Sequence, residues 1–211
     1  MQLLSRIDSG DAALIQVVDA AMAEAARKSG PWLVCRPGCT QCCIGPFAIT
    51  LLDAHRLWRG LVELETTDPE RAARVRLRAR DAVARLSPDF PGDPATGLLA
   101  EGEEAEERFA EFADDEPCPA LDPETGLCDL YSARPMTCRV FGPPVRCGSA
   151  DVGVCELCFD GASDAEIAAC EVETDPDGLE ASLNEELGAS GQTIVAFTLA
   201  QPWPTTTKSG S

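Results

Sequence analysis

Apolar residues recur at helical spacing in three stretches of the first ninety residues. Residues 11–28 (DAALIQVVDAAMAEAARK) are rich in Ala, Leu, Val and Met, and Gly30-Pro31 follows; this predicts a helix with a defined stop. Thr50 is placed to cap a second helix, LLDAHRLWRGLVEL, with Leu51, Ala54, Leu57 and Trp58 on one side. In residues 69–86, Val75, Ala79, Ala82 and Leu86 fall on one face, while Arg71, Arg74, Arg78 and Arg85 lie mostly elsewhere.

The pattern then changes. Residues 87–97 (SPDFPGDPATG) read as a turn-rich break. Nine of the sixteen residues from Glu101 to Glu116 are acidic, with Leu99, Phe109 and Phe112 offering a face that can pack as a helix. This segment reads either as a solvated helix face or linker, or as a docking surface for a basic partner. Residues 117–160 have little periodicity and much Cys, Pro and Gly, as expected where ligands rather than backbone ladders fix the chain. Residues 163–171 and 177–187 suit short helices. The run QTIVAFTL at 192–199 predicts a strand from its crowded Thr, Ile, Val and Phe. The final TTTKSGS should fray. No internal repeat is visible. The expected fold class is mainly α: a compact helical domain around an irregular cysteine-rich metal-binding core, with few short strands. The expected organisation is one domain over 1–200 and a flexible tail over 201–211.

Composition sharpens this. Hydrophobic residues make up 45% of the 211 and aromatics only 5%, so the core leans on Ala, Leu and Val, and bound metal could supply part of the folding free energy. A formal net charge of -19 argues against nucleic acid, whose backbone rewards Lys and Arg, and against an anionic membrane surface. It suits a basic protein partner, and equally a charge that only keeps the chain soluble. The opening MQLLSRIDSGDAALIQ lacks the apolar stretch of a signal peptide, and no run has the length of a membrane span. The expected location is cytoplasmic, where structural disulfides are uncommon.

Eleven cysteines against one histidine, His55, make any metal chemistry thiolate chemistry. Eleven is also odd, so disulfides alone would leave one over. Cys35-x3-Cys39-x2-Cys42 can bring three sulfurs to one centre, with Gly38 easing the turn. Neighbours on a chain point apart, so Cys43 either feeds a second site or is a small buried hydrophobe. Cys118, Cys128 and Cys138 follow at even spacing, Pro119 stiffens the first of these loops, and Arg134 and Arg139 bring positive charge. Tyr131 and Phe141 read as core aromatics beside the site. Cys147 precedes a Cys155-x2-Cys158 knuckle, a reasonable zinc or cluster half-site. Cys170, among alanines, reads as a plain buried thiol. His55 reads as a partly exposed helix residue. No Ser/His/Asp arrangement, phosphate loop or dinucleotide motif appears.

Cys35-x3-Cys39-x2-Cys42-Cys43, then Pro117-Cys118-Pro119, Gly126, Cys128, Tyr131, Arg134-Pro135, Cys138-Arg139 and Phe141, resembles the YkgJ-type family of zinc- or iron-chelating domains, also called the CxxxCxxCC family. The pattern covers residues 35–142. The resemblance implies metal or cluster binding by the seven cysteines from Cys35 to Cys138. Flagellin lysine methylase members of that family are thought to carry an iron–sulfur cluster, but the resemblance does not imply methyl transfer here. Cys147, Cys155 and Cys158 lie outside this core motif and could complete its site or form another.

Four thiolates suit zinc and iron–sulfur equally. The all-sulfur donor set, the Cys-x3-Cys-x2-Cys spacing that radical enzymes use for a [4Fe–4S] cluster, and the surplus of cysteines tilt the expectation to iron–sulfur, with zinc as the alternative. Cys35, Cys39, Cys42, Cys118, Cys128 and Cys138 are expected to matter most, then Cys43, Cys155 and Cys158, then Cys147.

Overall fold

The computed structural model describes residues 2–147, 150–188 and 190–201. It is mainly helical, with eight α-helices and only two- or three-residue strands among the described residues. In chain order these are α1 (Gln2–Ser29), β1 (Ile49–Thr50), α2 (Leu51–Thr67), α3 (Pro69–Leu86), β2 (Gly92–Asp93), β3 (Leu98–Leu99), α4 (Glu103–Ala110) and α5 (Met136–Val140). Then come β4 (Val145–Cys147), β5 (Ala150–Val152), α6 (Asp164–Cys170), β6 (Val172–Glu173), α7 (Leu179–Leu187), β7 (Gln192–Thr193) and α8 (Val195–Ala200). Contacts divide the chain into two units. The first holds Met1–Cys42 and Arg134–Ser190, the second Cys43–Ala133 and Gly191–Ser211.

In the second unit, two of the three periodic stretches form helices as the pattern predicts. The Thr50 hydroxyl accepts from the Asp53 N–H at 3.2 Å and starts α2. Asp68 then caps α3 by accepting from the Arg71 N–H at 3.1 Å, with Pro69 at the first helical position. Leu57 and Leu61 of α2 meet Ala72, Val75 and Ala79 of α3, and Leu199, Ala120 and Leu130 complete the core. Small residues on α3 permit close helix approach, which is how an aromatic-poor chain still packs. A second cluster gathers the scarce rings: Phe90 lies 4.5 Å from Phe197 between centroids, beside Phe112, Ala82, Leu86 and Ile194. The turn-rich break holds β2 and the turn that leads into its antiparallel partner β3. The acidic segment does form a helix, α4, whose glutamates are exposed while Phe112 beyond it is buried.

The run 192–199 differs from expectation. Only Gln192–Thr193 is extended, pairing antiparallel with β1, and the chain turns into α8 at Val195. A short apolar run does not distinguish a strand from a buried helical turn. Ala196, Phe197 and Leu199 are all buried, with Leu199 in the α2–α3 core, and this packing overrides the β preference of Ile and Val. TTTKSGS lies outside the described residues.

In the first unit, α1 begins nine residues before the apolar run predicts. Ile7 belongs to the same buried stripe as Leu14, Val18 and Ala25, so the helical period extends through the polar start. A Cβ at Gly10 would sit 2.5 Å from a Leu183 methyl of α7, so the glycine gives that leucine room against α1. The anticipated short helices are α6 and α7; a capping box between Ser163 and Glu166 opens α6. β4 pairs antiparallel with β5 and parallel with β6.

Candidate metal centre

Cys35 to Cys39 fold as a tight turn in which the Cys39 N–H donates to the Arg36 carbonyl at 2.9 Å. Gly38 carries φ +88°, a left-handed value that favours glycine. This brings the turn's two cysteines back on themselves, with Cys35 exposed and Cys39 half-buried.

The knuckle is a second turn. The Cys158 N–H donates to the Cys155 carbonyl at 2.8 Å, and the Cys155 N–H donates to Gly142 O at 3.2 Å. The next residue, Phe159, adopts φ +60°, which is uncommon for a ring-bearing side chain and costs on the order of 1–3 kcal/mol. Two features hold it there: its N–H donates to Trp32 O at 3.1 Å, and its ring stacks on Trp32 with centroids 6.2 Å apart. Cys155, Cys158, Phe159 and Cys170 form one buried cluster, bordered by Trp32, Leu33, Phe141 and Ile167.

These two turns meet at sulfur. The Cys35 and Cys158 sulfurs are 3.9 Å apart. The Cys155 thiol also hydrogen-bonds that of Cys158, and Cys39 lies near enough to act on Cys35 electrostatically. Gly142 makes room: with φ +126°, it would place a Cβ 3.1 Å from the Cys35 sulfur. Burial first, and then Cys158, push the Cys35 thiol up to about 12 from its ordinary 9.0. Cys35 keeps an exposed edge. Burial likewise raises Cys155. Crowded thiols resist ionising beside one another, and a cation is the natural partner for them. Even so, among the described residues no group of three or more His, Cys, Asp or Glu is placed so that it could hold a metal ion. Side chains swing to a metal whereas backbone turns must be in place first, and these two turns already bring the Cys35 and Cys158 sulfurs to 3.9 Å.

In the second unit, Cys43 and Cys118 are joined through the backbone. The Cys118 N–H donates to Cys43 O at 2.7 Å beside an Ile44–Pro117 bridge. Cys128 is bridged to Leu121, and both Cys118 and Cys128 border the α2–α3 core. The loop is clamped by two arginines of α3. Buried Asp129 takes Arg71 and Arg78, each at 2.5 Å, and Arg78 also donates to Pro119 O at 2.9 Å. Asp129 accordingly raises Arg71 above its ordinary value. These arginines looked like ordinary polar-face residues; their spacing of seven on one helix was the available sign that they act together.

Cys42 and Cys138 are half-buried in the first unit. Arg139, beside Cys138, is buried and pairs with Asp19 of α1 at 2.6 Å, which neutralises the charge expected near the thiolates. The Cys147 side chain lies outside the described residues. Cys170 is buried as expected, and its thiol donates to the Lys28 carbonyl at 3.4 Å. Two expectations are corrected. His55 is buried rather than partly exposed, at 3%, because the first turns of α2 are covered on all sides; it stacks on Trp58. Tyr131 is 63% exposed and so is no core aromatic, whereas Phe141 does border the knuckle cluster.

The donor chemistry fits a thiophilic metal: none of the ten described cysteines is in a disulfide. No helix is long and apolar enough to cross a membrane among the described residues. No curated protein and no solved structure matches the chain. Residues 34–156, more than half of the sequence, match the model of the CxxCxxCC family, by description a zinc- or iron-chelating domain, and the chain belongs to that family.

Proposed function

We propose that this protein holds an iron–sulfur cluster on cysteines of the family motif and uses it in a redox or protein-modifying role. The observation that supports this most is the donor set. Ten described cysteines stand without a disulfide, the single histidine is buried in α2 against Trp58, and thiolates are the ligands of iron–sulfur clusters. One closed ion would use four of these thiols, which leaves a surplus that a second centre explains. Anaerobic purification tests the reading. A brown protein with iron, inorganic sulfide and a thiolate-to-iron charge-transfer band in the visible supports it. A colourless protein with stoichiometric zinc rejects it.

A second reading is a structural zinc protein that docks a basic partner. Two observations favour it. The Cys35–Cys158 separation of 3.9 Å is close to the roughly 3.8 Å expected of two sulfurs sharing one zinc at about 2.3 Å each. The exposed Glu103, Glu104, Glu106 and Glu107 of α4 offer a negative face.

A further inference from the structure

We infer that a groove beside α4 is a docking site for a polypeptide segment that carries arginine next to an apolar side chain, with Glu101 and Glu106 taking the guanidinium. This deepens the second reading above and rests on its premise of a basic partner, whichever metal the chain holds.

The groove measures about 480 Å³, within the range of small-ligand sites. Ala105, Glu106 and Phe109 of α4 line it, together with Leu99 of β3, Glu101 and Gln192 of β7. All of its lining belongs to the second unit.

Three observations fit this occupant. The first is helical spacing. Ala105 and Glu106 lie four and three positions before Phe109, so α4 presents these side chains on one face. Glu104, two positions from Glu106, does not share that face and does not line the groove. The second is apolar surface. Leu99 and Phe109 pack against the buried cluster of Phe90, Phe112 and Phe197, yet both stay partly accessible and line the groove. A half-covered ring and a half-covered leucine can hold an aliphatic stem. The third is charge. Both charged residues lining the groove are acidic and exposed. Neither Glu101 nor Glu106 forms an ion pair among the described residues, whereas Glu116, at the end of the same acidic run, is taken by Arg85 at 2.5 Å.

Arginine suits this combination better than lysine. Its planar guanidinium meets carboxylates through paired N–H donors and stacks on an aromatic face, while its stem lies along apolar surface. The exposed amide of Gln192 can both donate to and accept from a peptide backbone. The groove therefore selects among basic segments, which a diffuse negative surface does not.

The test titrates the full chain into a fluorescein-labelled peptide alternating arginine and leucine and reads anisotropy. Two control peptides carry lysine or citrulline in place of arginine. The arginine peptide should bind, the lysine peptide more weakly, and the citrulline peptide not measurably. Glu106→Gln should weaken binding by about tenfold, the share of one charge-assisted hydrogen bond. Glu104→Gln removes the same charge from the same helix and should weaken it by less than about twofold, as an exposed charge does. Ala105→Trp should abolish binding by filling the groove. Unchanged circular dichroism of the two glutamine variants separates lost binding from lost folding. If Glu104→Gln weakens binding as much as Glu106→Gln, or Ala105→Trp binds fully, the groove is wrong while a basic partner on the acidic face stands. If the lysine peptide binds as tightly as the arginine peptide, the choice of arginine is overturned. If agmatine, a guanidinium on an alkyl stem, binds as tightly as the peptide, the groove takes a small molecule and polypeptide docking is overturned. If the arginine peptide binds no better than the citrulline peptide, the groove and the basic partner both fail.

Discussion

In the α2–α3 layer, Leu57, Leu61, Ala72, Val75 and Ala79 bury one another across two capped helices. In the cysteine turns of the other unit, the buried set is Cys155, Cys158, Phe159 and Cys170, and the backbone leaves regular secondary structure almost entirely from Leu33 to Thr40 and from Gly153 to Ser163. The first region is held by apolar burial at helical period. The second has a small core, a strained Phe159 and thiols that resist charge. On the proposed function, ligation supplies much of its stability, because metal binding free energy becomes folding free energy when no site exists in the unfolded chain.

The largest expected effect follows from that contrast. Stripping the metal should expose residues 31–42 and 153–162 to hydrogen exchange while α3 keeps its protection. Binding free energies of about 10–16 kcal/mol in zinc-finger peptides set the scale of what is lost. Equal exchange of the turns in both states would break the comparison. On the other side, Leu57→Ala should cost about 2–5 kcal/mol by leaving a cavity in the helical layer. It should lower the thermal midpoint with the metal-to-protein ratio unchanged, as elemental analysis would show. Gly142→Ala joins the two tests: the new methyl meets the Cys35 sulfur at a left-handed position. A stability loss of about 1–3 kcal/mol should come with weaker zinc retention against a chelator. Thr50→Ala removes the α2 cap and should cost about 1 kcal/mol with full metal retention. Serine at Cys170 should likewise leave the ratio unchanged, and serine at Cys39 should lower it.

The smallest effect is in pH. In the metal-free protein the raised Cys35 thiol keeps its proton longer when folded than when unfolded. Its contribution is fully present below its ordinary 9.0 and is lost as pH rises towards about 12. Denaturant titrations of the metal-free chain should therefore show stability falling over that window. Cys35→Ser should flatten the slope, and an unchanged slope would assign it to other groups.

The helices were legible because their information is local. The cap at Thr50 and the stripe at Val75, Ala79 and Ala82 need only neighbours within a few turns. The helix α8 was not legible, since its choice between strand and helix is made by α3 packing against Phe197 and Leu199. The cysteines were plain as a group, and so was the family. Their partnership was not: Cys35 meets Cys158 across 123 positions, and no spacing in the motif specifies that pair. Phe159 and Gly142 were equally silent, because a left-handed φ at phenylalanine has no sequence signature. Arg71 and Arg78 gave only their helical spacing, and Asp129, their common partner, is fixed by the loop rather than by the helix.

The central claim is that thiolates of this chain hold metal, and elemental analysis of anaerobically purified protein tests it most directly. The account predicts at least one zinc or iron per chain, falling when Cys39 or Cys158 is replaced by serine. Less than one metal atom of any kind per chain would contradict it.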